Sequence, residues 1–303
     1  MEMDIQQAGR SVTNRHFDSN LWNDFTFRTG DVVIASYMKS GTTWLQQIVA
    51  QLIFEGREGI DIAALSPWLD HRIQGMHAKR TYEAQQHRRF IKTHSPADAL
   101  PILPSVKYIF VGRDGRDVAW SLHHHYAHLD ASVYDRLNSI SEGKEPPLEP
   151  PPASVVDYFN HWLDGNGHPF WSFWDTVFSW WNIRHHSNVL LVHFSDLKRD
   201  RSQQIKKIAS FLEIPIKKTA FANILRQTSF EHMKSHASLC APFNGKVWRG
   251  GSQTFIHRGT NGRWKEALPV ADSDRYETTA TRHLGLPCSA WLAAGWQDAQ
   301  DAA

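Results

Sequence analysis

The sequence predicts an α/β fold with a central parallel sheet flanked by helices, on three observations. The run Val32-Val33-Ile34-Ala35 is continuously apolar and β-branched, as a strand covered on both faces should be, and Leu45, Ile48, Val49, Leu52 and Ile53 follow at helical spacing. A second apolar run, Val106-Lys107-Tyr108-Ile109-Phe110-Val111-Gly112, is followed over residues 113–121 by a turn into a helix. A third, Val189-Leu190-Leu191-Val192-His193-Phe194, precedes a helix carrying Ile205, Ile208, Ala209 and Leu212. Strands that alternate with helices pair in parallel because each crossover helix covers one face of the sheet.

Taken in order, residues 1–30 run over the surface, with Phe17, Leu21, Trp22, Phe25 and Phe27 packing their later half down, and Gly30-Asp31 turns into the first strand. Between that strand and its helix stands Lys39-Ser40-Gly41-Thr42-Thr43-Trp44. A glycine lets backbone N–H groups approach an anion, and the first helical turn offers unpaired donors. Thr42 and Thr43 add hydroxyls, and Lys39 adds a point charge. A Walker loop places its lysine after the last glycine, with a hydroxyl residue for magnesium behind it; here the lysine comes first. Residues 55–88 are mixed and polar, with a break at Ser66-Pro67-Trp68-Leu69, and suit a loop that shapes a substrate mouth. Residues 89–96 read as a short strand ending in a turn. Lys92 and His94, two apart in an extended chain, share a face, where a cation and a base can meet one substrate group.

His123, His124, His125 and His128 follow the second strand on its helix, and His124 and His128 share a face at a spacing compatible with zinc. No H-E-x-x-H pattern accompanies them, so they are read as polar positions and no metal is expected. Residues 130–152 end in a proline-rich run and are expected to form an extended surface loop or a lid over the acceptor. The aromatic stretch of residues 158–183 is mostly core, with Trp174, Phe178 and Trp181 on one buried helical face. Lys198-Arg199, Lys206-Lys207 and Lys217-Lys218 read as solvated faces.

Composition narrows the function. The chain of 303 residues is 12% aromatic with 13 Trp, which suits a packed enzyme with an apolar pocket. A formal charge of +2 is too small to imply nucleic acid as the main partner. Two cysteines, Cys240 and Cys288, make no disulfide framework, and no stretch has the length of a membrane span, so a cytoplasmic protein without stable membrane insertion is expected.

The ordered motifs resemble those of the cytosolic-type sulfotransferases, in a bacterial-like form. K-S-G-T-T-W resembles their 5′-phosphosulfate loop, Lys92-Thr93-His94-Ser95-Pro96 their K-x-H-x-P segment, and Arg113 to Ser121 their R-D-x-x-D-x-x-x-S segment. Thr228-Ser229-Phe230 is similar to their T-S-F, and residues 257–265 to their R-K-G-x-x-G-D-W-K loop, with His257 and Arg263 replacing an arginine and the aspartate. The segment Leu190 to Lys198 resembles their L-x-x-x-Y-E-D-L-K, with Phe194 and Ser195 replacing the tyrosine and glutamate. The resemblance spans about residues 30–268 and implies one three-layer, P-loop-like domain, read here as the whole chain, residues 1–303.

That resemblance implies transfer of a sulfuryl group from 3′-phosphoadenosine 5′-phosphosulfate (PAPS) to a hydroxyl, or an amine, of a small apolar or aromatic acceptor. The product nucleotide is 3′-phosphoadenosine 5′-phosphate (PAP), and no metal is needed. It also implies roles. His94 is the general base, Lys39 and Lys92 offset charge in the transfer, and Ser40, Gly41, Thr42 and Thr43 hold the 5′-phosphate. Arg113, Ser121, His257, Arg258 and Gly259 hold the 3′-phosphate, and Trp44, Thr228 and Phe230 cradle adenosine. The family's dimer motif survives only as Lys265, Pro269, Val270 and Asp274, which leaves the oligomeric state open. The rival readings are a catalytically idle nucleotide-binding module and a magnesium-dependent kinase with Asp114 as ligand.

Overall fold

The computed structural model describes residues 8–141 and 143–296. Four strands, β1 (Val32–Ser36), β2 (Phe90–Thr93), β3 (Lys107–Gly112) and β4 (Val189–His193), form one parallel sheet in the order β2-β1-β3-β4. Register is set residue by residue: Ala35 lies opposite Thr93 on one side and Phe110 on the other, and Gly112 opposite His193.

The period of two in a pleated strand divides the core into two layers. Val33, Ala35, Ile91, Tyr108, Phe110 and Leu191 face one of them, where α3 (Gly115–Ala127), α5 (Val155–Asp164), α6 (Phe173–Asn182) and α8 (Val270–Ala294) supply the aromatic mass. Val32, Ile34, Phe90, Ile109, Val111 and Val192 face the other, against α1 (Thr42–Ile53) and α7 (Arg201–Phe211). Both faces are covered, which is why these strands are apolar without alternation. The carboxyl ends of β1, β2 and β3 open at one edge, and the sequence places a basic or hydroxyl-rich turn after each.

Close packing fixes one of those turns. At Gly112 a Cβ would stand 2.4 Å from Cη2 of Trp291 on α8, so the strand end touches this helix through bare backbone. Beside it, the Gly115 amide donates to the Tyr276 hydroxyl at 2.8 Å.

Three sequence expectations are corrected. Residues 130–152 are not simply an extended loop: α4 (Ala131–Ser141) forms first, burying Tyr134 and Leu137, and the chain is extended only where the prolines begin. Val133, Tyr134 and Leu137 recur at helical spacing, a signal overshadowed by the proline run behind it. The polar stretch 55–88 holds a short helix, Ile62–Leu65, and α2 (Gly75–Ala84). Phe178 is 40% exposed, while Trp174 and Trp181 are buried as expected. The amino-terminal segment packs down as predicted, with Phe17, Trp22 and Phe25 buried.

At the foot of the sheet, Arg89 is enclosed with Asp31, its Nε donating to the carboxylate at 2.9 Å and one Nη to the Thr26 carbonyl at 2.9 Å. Removing one member of such a pair strands a buried charge. Asp31→Ala is expected to lower folding stability by about 3–5 kcal/mol, measured as the shift in urea midpoint.

Candidate active site

The turn after β1 reverses direction through Lys39 at φ +69° and Gly41 at φ +116°. A Cβ on Gly41 would lie 2.8 Å from the Phe194 ring, so only glycine allows that approach. The helix α1 then begins at Thr42, and its first-turn amides have no acceptor within the helix. Lys39 sends Nζ across the Phe255 ring, 4.3 Å from its centre. Burial, with Arg113 and Lys92 nearby, pushes its ammonium down to about 7.

The parallel pairing of β1 with β2 brings Lys92 and His94 beside this turn. The His94 ring is buried, and Nδ1 lies 2.8 Å from the Ser36 carbonyl, so it donates there and the tautomer is fixed with Nε2 as the proton acceptor. Burial and the Lys92 charge hold His94 well below the usual histidine value. It is therefore neutral near pH 7. Burial lowers Lys92 to about 8, against the opposing pull of Asp70.

Asp70 is a residue that spacing did not single out. It is wholly buried and accepts from Trp22 Nε1 at 2.9 Å, Thr93 Oγ1 at 2.6 Å, Ser95 Oγ at 2.6 Å and Trp68 Nε1. Burial raises its pKa on balance, and the four converging donors oppose that shift by favouring the carboxylate. Thr93 and Ser95 alternate with Lys92 and His94, so the strand end gives one face to Asp70 and the other to the cavity. The Trp68 ring is thereby fixed edge-on to His94, with centroids 4.7 Å apart. The legible hint was the pair of hydroxyls flanking His94.

After β3, Arg113 ties two loops together. It donates to the Lys39 carbonyl at 3.0 Å, the Thr260 carbonyl at 2.9 Å and Asn261 Oδ1 at 3.0 Å, and its guanidinium lies 4.4 Å from the Phe194 ring centre. Two of its five N–H donors remain. Asp117 accepts from the Gly262 amide at 2.8 Å, and Asp114 pairs with Arg116 at 2.7 Å. Lys198 is exposed, as expected, and donates to the Gly259 carbonyl at 2.8 Å. Gly259, at φ +61°, lies against Phe230, where a Cβ would be 2.5 Å from the ring.

These elements enclose a cavity of about 610 Å³ lined by Lys39, Gly41, Thr42, Thr43, Trp44, Lys92, His94, Arg113, Ser121, Phe230, His257, Arg258 and Gly259. Two expected residues stand behind its wall. Ser40 is buried under the turn, its amide bonded to the Tyr37 carbonyl at 3.1 Å. Thr228 spends its hydroxyl on the Ile224 carbonyl at 2.8 Å and fixes Trp44 through its own carbonyl, which accepts from the indole Nε1 at 2.8 Å. His257 stacks on His124 with ring centres 3.7 Å apart, and His128 bonds back to the His124 carbonyl at 2.8 Å. Among the described residues, no group of three or more His, Cys, Asp or Glu is arranged to hold a metal. Nine Lys or Arg side chains line the cavity against two carboxylates, Asp117 and Glu231, a balance suited to a polyanion.

The model of the sulfotransferase domain matches residues 29–286. This chain belongs to the sulfotransferase family. The present sulfotransferase is 31% identical to a glycolipid sulfotransferase of Mycobacterium bovis over 286 residues, covering 86% of each chain. It is 30% identical to mouse sulfotransferase 1B1 over 271 residues, covering 86% of this chain and 85% of the relative. Mouse sulfotransferase SULT7A1, solved with PAP, superposes at a TM-score of 0.67 and 25% identity, covering 90% of this chain and 93% of that one. Among the described residues, no helix of this sulfotransferase is long and apolar enough to cross a membrane.

Asp70 supplies the charge that supports Lys92. In Asp70→Asn the Lys92 ammonium is expected to titrate below about 8, seen as a lower pH midpoint for its acetylation by mass spectrometry. An unchanged midpoint would leave Asp70 a packing residue.

Proposed function

We propose that this sulfotransferase moves a sulfuryl group from PAPS to a hydroxyl of a small, largely apolar acceptor, with His94 as the general base. The observation that carries the reading is the His94 tautomer. Its Nδ1–H is committed to the Ser36 carbonyl, so a neutral Nε2 is left on the residue that lines the cavity between Lys92 and Trp68. A neutral imidazole held in one tautomer is the condition for taking a proton near pH 7.

The walls fit a bisphosphate nucleotide. Bare backbone at Gly41 and Gly259 leaves room for phosphate oxygens, and the two ends of the nucleotide half carry separate cations, Lys39 at one and Arg258 at the other. Thr42 and Thr43, at the open first turn of α1, hold the 5′-phosphate. Ser121, Arg258, the Gly259 backbone and the two spare donors of Arg113 hold the 3′-phosphate. Trp44 and Phe230 flank the adenosine, with Thr228 acting through Trp44. His257, anchored on His124, closes the loop over this end.

Bound PAPS supplies an activated sulfuryl group, whose S–O bond to the 5′-phosphate breaks as the acceptor oxygen bonds to sulfur. The remaining work is done by side chains. His94 Nε2 receives the hydroxyl proton, Lys92 faces the sulfuryl oxygens, and Lys39 meets the charge that grows on the departing phosphate oxygen. With its ammonium near 7 in the free protein, Lys39 gains protonation when an anion arrives, because the opposite charge favours the charged form. Trp68 presses on His94 from the acceptor side and restricts where the hydroxyl can sit.

Two measurements test these assignments. His94→Ala is expected to lower turnover by roughly 10²–10⁴-fold while PAP affinity by calorimetry stays close to wild type; near-normal turnover would remove His94 as the base. Arg258→Ala is expected to weaken PAP binding by about tenfold or more while adenosine 5′-phosphate binding hardly changes. Equal losses for the two nucleotides would contradict the 3′-phosphate contact.

A further inference from the structure

The half of the cavity beyond Trp68 has a chemistry that sulfuryl transfer alone does not require. Helix α4 presents one stripe to it, since Ser132, Val133, Arg136 and Leu137, with Leu129 one turn earlier, all line the cavity at spacings of three and four. Arg136 therefore shares the cavity face of the helix with the apolar wall. Lys246 enters from the opposing segment. There Asp130 N donates to the Val247 carbonyl at 3.0 Å and Arg249 N to the His128 carbonyl at 2.8 Å, which sets this segment beside the start of α4.

Arg136 and Lys246 are exposed, and among the described residues neither side chain has an ion-pair or hydrogen-bond partner within the protein. Trp248 in the same wall is buried, and its indole N–H, which can only donate, has no acceptor. Both carboxylates of the cavity lie in the other half: Asp117 is bonded to the Gly262 amide, and Glu231 follows Phe230. The nearby imidazoles add no negative charge, and burial keeps His16 and His71 neutral. Aromatic rings mark the way from the base to this end, from His94 to Trp68 at 4.7 Å, on to His71 at 4.8 Å and to Phe243 at 5.8 Å.

We propose that the acceptor is an anionic amphiphile whose apolar body lies along this wall, with its hydroxyl at His94 and its anionic group at Arg136 and Lys246. The inference rests on the sulfotransferase reading and deepens it by naming the acceptor class. Two exposed cations at the end of an apolar wall discriminate by charge: an anion gains their attraction, which salt screens, and a neutral analogue does not.

The test uses a series of ω-hydroxy fatty acids from medium to long chain, each beside its neutral methyl ester, with the ω-hydroxyalkyl phosphates as a second anion. Sulfation is measured with PAPS, and binding to the PAP-loaded protein is measured separately by calorimetry. The expected result is a preference of about tenfold or more for the acids and phosphates over the esters at one chain length, falling with added salt. In Arg136→Ala/Lys246→Ala the preference should drop to about twofold or less with PAP affinity retained, and Arg136→Glu should reverse it. Equal handling of acid and ester by the wild type, or a preference that survives the double substitution, overturns the inference while leaving sulfuryl transfer intact. Preferential binding of the acids through Arg136 and Lys246 without sulfation of any probe keeps the charge assignment and counts against the proposed function.

Discussion

The structure depends on the register of three parallel strands. Pairing β1 with β2 on one side and β3 on the other carries Lys39, Lys92, His94 and Arg113 to one edge, although they are drawn from residues as far apart as 39 and 113. A slip of one residue would turn every strand side chain to the other face. Both faces are buried against different layers, so such a slip is strongly disfavoured, and the cost of moving the core is what keeps the site aligned.

The site concentrates positive charge on buried side chains, and the protein manages the repulsion in two ways. Burial pushes the Lys39 and Lys92 ammoniums down towards neutral pH, which eases their mutual repulsion in the free protein. Asp70 opposes that trend at Lys92 from behind the strand, while its four hydrogen bonds also hold Trp68 and the two hydroxyls that flank His94. One buried carboxylate thus links the electrostatics of the site to its shape.

The loop of residues 255–263 is secured by contacts with side chains from three other elements. Lys198 holds the Gly259 carbonyl, Arg113 the Thr260 carbonyl and Asn261, and Asp117 the Gly262 amide. The rings of His124 and His257 add a stacked contact at its start. Arg113 also reaches the Lys39 carbonyl, so this loop and the turn after β1 share one guanidinium.

Legible in the chain alone were the sheet, the turn at residues 39–44 and the shared face of Lys92 and His94, because continuous apolar runs, helical spacing and glycine placement are local properties. The sequence also determined the family, since several short motifs stand in order. It could not reveal Asp70, whose four partners lie up to 48 residues away, nor the bonding of Lys198 to Gly259, because such contacts exist only once distant segments meet. The same reason explains α4. Its apolar positions were visible, but that the helix forms before the prolines and turns Arg136 towards a cavity was decided by the segments packed around it. Tertiary structure likewise placed Ser40 and Thr228 behind the wall, for a motif fixes which residues lie near a ligand but not which atoms remain free to touch it.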